Sequence, residues 1–191
     1  MAQSTPDAPA DWERFREFLL LMARMQSDQR WQGKLDLSGV VQQTLLEAHQ
    51  DGEQLNGATD AQKAGWLKRA LANNLADELR KLKTARRDAG RERSLQAAID
   101  QSHSQLQCLL PDAGGTPSME VVRAERGVQL AQALAALPEA QRQVIELHHL
   151  QSHTLVEVAE ALGTTKPAVA GLLHRGLKSL RRMLASDNSS A

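Results

Sequence analysis

The sequence has no tyrosine, two phenylalanines, three tryptophans and a single cysteine, Cys108. One cysteine excludes an internal disulfide framework. No apolar run approaches the ~20 residues that cross a bilayer, and the start, MAQSTPDAPADWERF, lacks the basic-then-apolar order of a signal peptide. These absences predict a soluble, cytoplasmic protein without membrane insertion. The length of 191 residues predicts one or two small domains.

The motifs of common catalytic sites are also missing. The sequence contains no nucleophile–base grouping, no glycine-rich phosphate loop and no H-E-x-x-H motif. His149 and His153 are spaced four apart, which suits zinc, and His148 and Cys108 are possible further ligands. Because no second cysteine lies near, the sequence predicts no metal site. We expect no enzyme activity and no cofactor.

The chain has no net charge, with 23 Lys and Arg against 23 Asp and Glu, but its charge is unevenly distributed. Residues 66–94 contain nine basic and four acidic side chains, and residues 163–185 contain five basic and no acidic ones. Each segment therefore carries +5, and the rest of the chain carries −10. Solvated helix faces would explain one such segment; two beside patterned helices favour two surfaces that face a polyanion.

Apolar residues recur at spacings of three and four almost throughout, which predicts an all-α fold without strands. The first domain, residues 10–88, is expected to hold three helices, of which the third has a buried line of leucines. The predicted helices are Asp11 to about Gln26, Leu37 to Gln50 and Asp60 to Thr84, and the buried line is Leu67, Leu71, Leu75, Leu79 and Leu82.

Residues 89–117 are rich in Gln, Ser, Asp and Gly and include Gly114-Gly115. This composition predicts a flexible linker within which a short helix can form. A second helical domain is expected over residues 118–185.

The second domain is predicted to contain a helix-turn-helix. Thr154 and Glu157 have the spacing of a capping box, and Gly163 suits the end of the short helix that they start. The last helix begins near Lys166 and has apolar residues on one side. Its N-terminal residues would reach base edges in the major groove. Two packed helices of any bundle explain this pattern equally well.

The third helix has a polar side. Arg69, Asn73, Asp77 and Arg80 are spaced four, four and three residues apart, and Trp66 precedes them by one turn. Basic residues with an amide and an aromatic ring suit unpaired nucleic acid. Without further context, a solvated amphipathic helix with a core tryptophan is the preferred interpretation.

The order of these segments supplies the context, because it resembles the extracytoplasmic-function (ECF) sigma factors, the small two-domain initiation factors of bacterial transcription. The resemblance runs from about Trp12 to Leu184. It is carried by KLDLSGVVQQTLLEAH, similar to the polymerase-clamp-binding helix, by WLKRALANNLADELRKLKTARRD, similar to the −10-recognition and melting helix, and by the segment from Leu130 to Leu184, similar to the −35-binding domain.

The resemblance implies roles for residues of the first domain. Asn73 matches the asparagine beside the extruded −10 base, and Asp77 and Arg80 follow at the family's spacing. Trp66 and Arg69 complete the expected −10 site. Gln42, Gln43 and Glu47 are expected to face core polymerase, although Gly39 replaces the acidic residue that is usual in that helix.

For the −35 element, the resemblance matches Arg175 to an arginine of the reading helix. We expect Lys166, His174, Arg175, Lys178 and Arg181 to contact DNA there. Ala170, Gly171 and Leu172 stand where many members have Lys/Arg-Ser-Arg, so base readout is expected either to be weak or to rest on Lys166, His174 and Arg175.

The sequence thus predicts a sigma factor whose partners are RNA polymerase core enzyme and promoter DNA, with an anti-sigma factor as a possible third partner. The alternative is a free-standing helix-turn-helix regulator with an N-terminal partner-binding domain. Such a regulator needs neither a melting face nor a clamp-binding helix.

Overall fold

A computed structural model of the chain describes residues 12–26, 35–51, 55, 57–83, 89–108 and 117–187. In this part of the chain every regular element is helical and no strand occurs, which confirms the all-α prediction. None of the described helices is long and apolar enough to span a membrane. Within the described ranges, a short 3₁₀ turn, Trp12–Phe15, precedes eight α-helices: α1 Arg16–Met25, α2 Leu37–Gln50, α3 Asp60–Lys83, α4 Ala89–Cys108, α5 Pro117–Ala135, α6 Glu139–Ile145, α7 Leu155–Ala161 and α8 Lys166–Asp187.

The chain divides into two compact units, Met1–Ile99 and Asp100–Ala191. The division falls within α4, whose 20 residues occupy most of the predicted linker. That helix is longer than the short one we expected there. Residues 109–116, which include Gly114-Gly115, lie outside the described residues, so the flexibility of the linker and the limits 10–88, 89–117 and 118–185 stay predictions.

In the N-terminal unit, α1, α2 and α3 pack on one another around an apolar core. The predicted leucine line of α3 is buried at its four described positions; the side chain of Leu82 lies outside the described residues. Asp36 caps α2, because its carboxylate accepts a hydrogen bond of 2.9 Å from the backbone N–H of Gly39. The largest fully buried side chains of these helices and of the preceding 3₁₀ turn are Phe15, Phe18, Leu19, Leu21, Met22, Leu67, Leu71 and Leu75.

In the C-terminal unit, α5, α6 and α7 all pack on α8. The small core between the last helices is formed by Val144, Val158, Ala159 and Val169. The capping box that starts α7 is present in full, because Thr154 and Glu157 bond to each other's backbone N–H groups. Gly163 has a φ of +61°, the left-handed conformation that ends α7 and that glycine adopts without strain.

A π-helical turn, Glu146–Leu150, follows α6 directly. In it the backbone N–H of Gln151 donates to the carbonyl of Glu146 at 3.0 Å, five residues back. Ser152 then adopts a φ of +58° before α7 begins. The sequence predicted an ordinary helix that includes Leu147, since apolar spacing does not distinguish one wider turn from an α-helical one.

Gly176 lies in close contact with α6. A β-carbon at this position would lie 2.8 Å from Cδ1 of Ile145 and 3.3 Å from Cβ of Gln141. Gly65 on α3 has no such neighbour within 4 Å. A side chain at position 176 therefore requires the buried Ile145 to shift, whereas one at position 65 requires no such shift.

We predict opposite effects for alanine at the two glycines. Overpacking costs ~1–3 kcal/mol, which exceeds the ~1 kcal/mol that alanine gains over glycine within a helix. Gly176→Ala should thus lower the unfolding free energy by about 1 kcal/mol, and the control Gly65→Ala should raise it by about 0.5–1 kcal/mol. Urea unfolding followed by circular dichroism measures both. A Gly176→Ala protein as stable as Gly65→Ala would contradict the packing argument.

Candidate nucleic-acid interfaces

The polar side of α3 faces solvent. Arg69, Asn73 and Asp77 are exposed, and Trp66 and Arg80 are partly exposed. The leucines that share the helix lie on its buried side, so the five predicted site residues occupy the surface that the core leaves open. The structure therefore brings the predicted −10 residues onto one accessible helix side.

Asp77 and Arg80 form an ion pair within this surface. The pair joins residues three apart on a solvent-exposed helix, where such contacts contribute ~0.2–1 kcal/mol. A phosphate group can therefore compete with Asp77 for the Arg80 guanidinium at a small cost. Asp77 keeps the arginine oriented along the helix without removing its charge.

The predicted polymerase-facing residues of α2 differ in their surroundings. Gln42 and Gln43 are exposed, but Glu47 is half-buried and accepts two hydrogen bonds. One comes from Nε2 of Gln43 at 2.9 Å and one from Nδ2 of Asn74 on α3 at 3.1 Å. Glu47 thus links α2 to α3 through its hydrogen bond with Asn74, and it also lies at the edge of the exposed side of α2.

Asn74 and Thr44 were not identified as site residues from the sequence. Nδ2 of Asn74 also donates to Oγ1 of Thr44 at 3.1 Å, and that hydroxyl donates to the carbonyl of Val40 at 2.9 Å. The available signal was a threonine within the apolar stripe of α2, because a buried hydroxyl requires a partner. The sequence does not reveal that this partner is an asparagine 30 residues away.

A groove of about 770 Å³ runs between α2 and α3. It is bordered by the Gln43 and Glu47 side of α2 and by the Asp77 and Arg80 side of α3, so the two predicted surfaces of this unit meet along it. Its lining contains four carboxylates and two cations. The lining residues are Asp36, Gly39, Val40, Gln43, Glu47, Asn74, Asp77, Glu78, Arg80 and Lys81.

At Gly39 the cap of α2 occupies the space that a side chain would take. A β-carbon there would lie 2.5 Å from Oδ2 of Asp36. The acidic side chain that the resemblance leads one to expect at position 39 cannot be accommodated unless Asp36 moves. The Asp36 carboxylate itself supplies the negative charge at this end of α2.

In the helix-turn-helix, α8 exposes the whole set of predicted −35 residues: Lys166, His174, Arg175, Lys178 and Arg181. Its opposite side is held in the core by Val169 and Leu180, which are 0% and 4% exposed. The predicted inward and outward sides are therefore correct at these positions.

Gly171, near the start of α8, leaves space that the side chain of Arg175 occupies. A β-carbon at Gly171 would lie 3.4 Å from Nη1 of Arg175, so the guanidinium lies back along the helix over the glycine. Ala170 is exposed beside it. Arg175 thus covers part of the surface where longer polar side chains were expected, and it provides charge there.

Three histidines, His148, His149 and His153, lie in and next to the π-helical turn. The rings of His148 and His149 pack edge to face with centroids 4.9 Å apart, and Nδ1 of His148 donates to the carbonyl of His153 at 2.7 Å. Partial burial, and then the neighbouring His148, lower the pKa of His149. This favours the neutral imidazole in the folded unit.

No group of three His, Cys, Asp or Glu side chains is placed to hold a metal ion within the described part of the chain. The side chain of Cys108, a possible ligand from the sequence, lies outside it. Glu157 is committed to the cap of α7, where the hydrogen bonds from Thr154 lower the pKa of its carboxyl. It therefore remains ionised at neutral pH.

Two similarities to known proteins agree with this geometry. Residues 127–180 match the family Sigma-70, region 4, a segment that includes α6, α7 and most of α8. Over 161 residues the chain is 30% identical to the ECF RNA polymerase sigma factor SigL of Mycobacterium tuberculosis, in each of three strains. The alignment covers 81% of this chain and 81% of the relative.

An alignment of 161 residues is longer than either compact unit, so it necessarily includes residues of both. The likeness therefore extends beyond the helix-turn-helix into the unit that holds α2 and α3. Fold, order of segments and sequence identity agree: the chain belongs to the extracytoplasmic-function sigma factors of bacterial RNA polymerase and functions in transcription initiation.

Proposed function

We propose a division of labour between the two units. The N-terminal unit binds core polymerase through α2 and holds the melted −10 element on α3, and the C-terminal unit binds the −35 element through α8. Residues 89–117 connect the two activities. The chain works in the cytoplasm, where polymerase and promoter DNA are found, and it contributes specificity without catalysis of its own. An anti-sigma factor stays a prediction of the family resemblance.

The exposed side of α3 is the observation that carries this proposal. Asn73 lies between Arg69 and Asp77 on a surface that no buried residue interrupts. An amide both donates and accepts, so it can pair with one base edge while the neighbouring cations hold the phosphate backbone. Trp66, partly exposed one to two turns away, offers an aromatic edge to the same strand.

The cations of α8 support phosphate binding more than base reading in its later turns. Lys178 and Arg181 lie three and four turns after the start of the helix, whereas the N-terminal residues of a recognition helix contact base edges. We assign base readout to Lys166, His174 and Arg175. We assign backbone binding to Lys178 and Arg181.

The alternative, a free-standing regulator, is not favoured. The N-terminal domain of such a regulator need not resemble that of a sigma factor in sequence. The alignment with SigL, however, includes residues of both units. A free-standing regulator would also have no use for an exposed asparagine between charged residues on α3.

We predict that Gln42→Lys weakens binding to core polymerase. Gln42 is exposed on α2, and an ammonium buried at an interface without a partner loses its hydration. The affinity for core enzyme should fall by roughly tenfold, and promoter-specific run-off transcripts should fall with it. Gln132→Lys, with the same charge change on α5 of the other unit, is the control. Equal core affinity for the two variants would refute the assignment of α2.

We predict that Asn73→Ala reduces promoter melting and leaves core binding intact. Extracting a base from the stack costs a few kcal/mol, and the substitution removes the amide proposed to offset that cost. Permanganate reactivity of promoter thymines in the holoenzyme complex measures open DNA. The deficit should depend on the base at one −10 position, and premelted promoter DNA should partly relieve it. Normal melting by Asn73→Ala would show that Asn73 is an ordinary surface residue.

We predict that Lys178→Ala with Arg181→Ala lowers the affinity for all promoter sequences alike. Each lost phosphate contact should flatten the slope of log affinity against log salt by about 0.9. The control pair Lys178→Arg with Arg181→Lys keeps both charges and should retain the slope. Titrations at several salt concentrations give the result. If the control pair also lost affinity, and only for one promoter sequence, these residues would be base readers.

A further inference from the structure

One amide group connects the two surfaces of the N-terminal unit. Nδ2 of Asn74 has two hydrogens, and it makes two bonds to α2: 3.1 Å to Oγ1 of Thr44 and 3.1 Å to Oε2 of Glu47. The other carboxylate oxygen of Glu47 accepts from Gln43 at 2.9 Å. A continuous path of hydrogen bonds therefore leads from exposed Gln43 on α2 to the residue that follows Asn73 on α3.

The bonds of this path have fixed directions. The hydroxyl hydrogen of Thr44 is directed to the carbonyl of Val40 at 2.9 Å, so its oxygen is left to accept from Asn74. Thr44 is completely buried, and water does not provide a substitute partner for it. The acceptors for both hydrogens of Asn74 are thus set by α2, which leaves a single orientation for the amide.

The surrounding apolar contacts do not provide such a restriction. Burial of leucine and alanine side chains is a non-directional force, proportional to the area removed from water. It presses α3 onto α2 but tolerates small rotations of one helix on the other. Hydrogen bonds weaken steeply away from linear geometry, so they penalise the same rotations.

We propose that Asn74 is a positioning residue for promoter melting. Its two bonds fix the rotation of α3 on α2, and thereby the direction in which Asn73 projects relative to the polymerase-binding side of α2. The proposal rests on the assignment of Asn73 to the −10 base and of α2 to core polymerase. In this proposal Asn74 contacts neither DNA nor polymerase. It acts by setting the relative orientation of the two surfaces that do.

Four variants test the proposal, all in the full chain with core polymerase. Asn74→Ala removes both bonds. Thr44→Val keeps the volume of the side chain but removes the hydroxyl, and Thr44→Ser keeps the hydroxyl but removes a methyl group from the core. Thr59→Ala is the matched control on α3, because Thr59 caps the start of that helix through Gln62 and lies outside the path. Circular dichroism sets a temperature at which every variant is folded.

Positioning and stability make different predictions for these proteins. If Asn74 positions Asn73, the rate of open-complex formation should fall about fivefold in Asn74→Ala and should fall in Thr44→Val. It should stay near wild type in Thr44→Ser and Thr59→Ala, and core affinity should be unchanged in all four. The Asn74→Ala deficit should be the same for every base at the −10 position where Asn73→Ala is selective.

Several outcomes would overturn the proposal. Opening rates that follow the unfolding midpoints, with Thr59→Ala and Thr44→Ser as slow as Thr44→Val, would show that Asn74 only stabilises the unit. Normal opening by Asn74→Ala, with a selective defect in Asn73→Ala, would reject the positioning role and leave the proposed function standing. Normal opening by both asparagine variants would instead reject the assignment of this side of α3 to melting.

Discussion

Burial of the leucine side of α3 is the interaction on which the N-terminal unit depends. Leu67, Leu71, Leu75 and Leu79 are at most 7% exposed, and each contributes ~1.5–3 kcal/mol when fully buried. Rotation of α3 by one residue position would expose part of this row. No exposed ion pair, at ~0.2–1 kcal/mol, offsets such a loss. The position of Asn73 on the surface is therefore a consequence of the core, and the polar contacts refine it.

In the C-terminal unit, core packing and clear helix-end signals likewise determine which side of α8 is exposed. The capping box of α7 and the left-handed Gly163 fix where one helix ends and the next begins. Val169 then anchors the first turns of α8 in the core, which leaves Lys166 and Ala170 outside. Close contact at Gly176 keeps the later turns of α8 against α6. Both ends of α8 are thus determined by packing and not by the residues proposed to touch DNA.

Features that follow from local spacing could be predicted from the sequence. Leucines four residues apart predicted α3, and the residues on the side opposite these leucines were predicted to be exposed. Thr154, Glu157 and Gly163 predicted where α7 begins and ends. These depend on residues within a few positions of one another, where helical geometry relates sequence to space.

Features that depend on distant residues or on backbone detail could not be predicted. The contact of Asn74 with Thr44 joins residues 30 positions apart, and helical periodicity contains no information about it. The turn Glu146–Leu150 is π-helical, with apolar residues at ordinary helical spacing. The length of α4 was not predicted, because a composition rich in Gln and Ser indicates a linker even where a 20-residue helix forms.

The absence of net charge is compatible with DNA binding because screening limits the range over which charges act. At physiological ionic strength the Debye length is about 8 Å, so a phosphate near α8 responds mainly to the charges of that helix and its neighbours. Residues 163–185 contain five basic side chains and no acidic one. On α7, by contrast, Glu157 and Glu160 are exposed and would repel a phosphate. The two helices of the motif thus have opposite charges at their surfaces, so a DNA backbone placed beside the motif would be attracted to α8 and repelled by the acidic side of α7. In the proposed complex this difference would orient the motif on DNA, which a uniformly basic domain would not do.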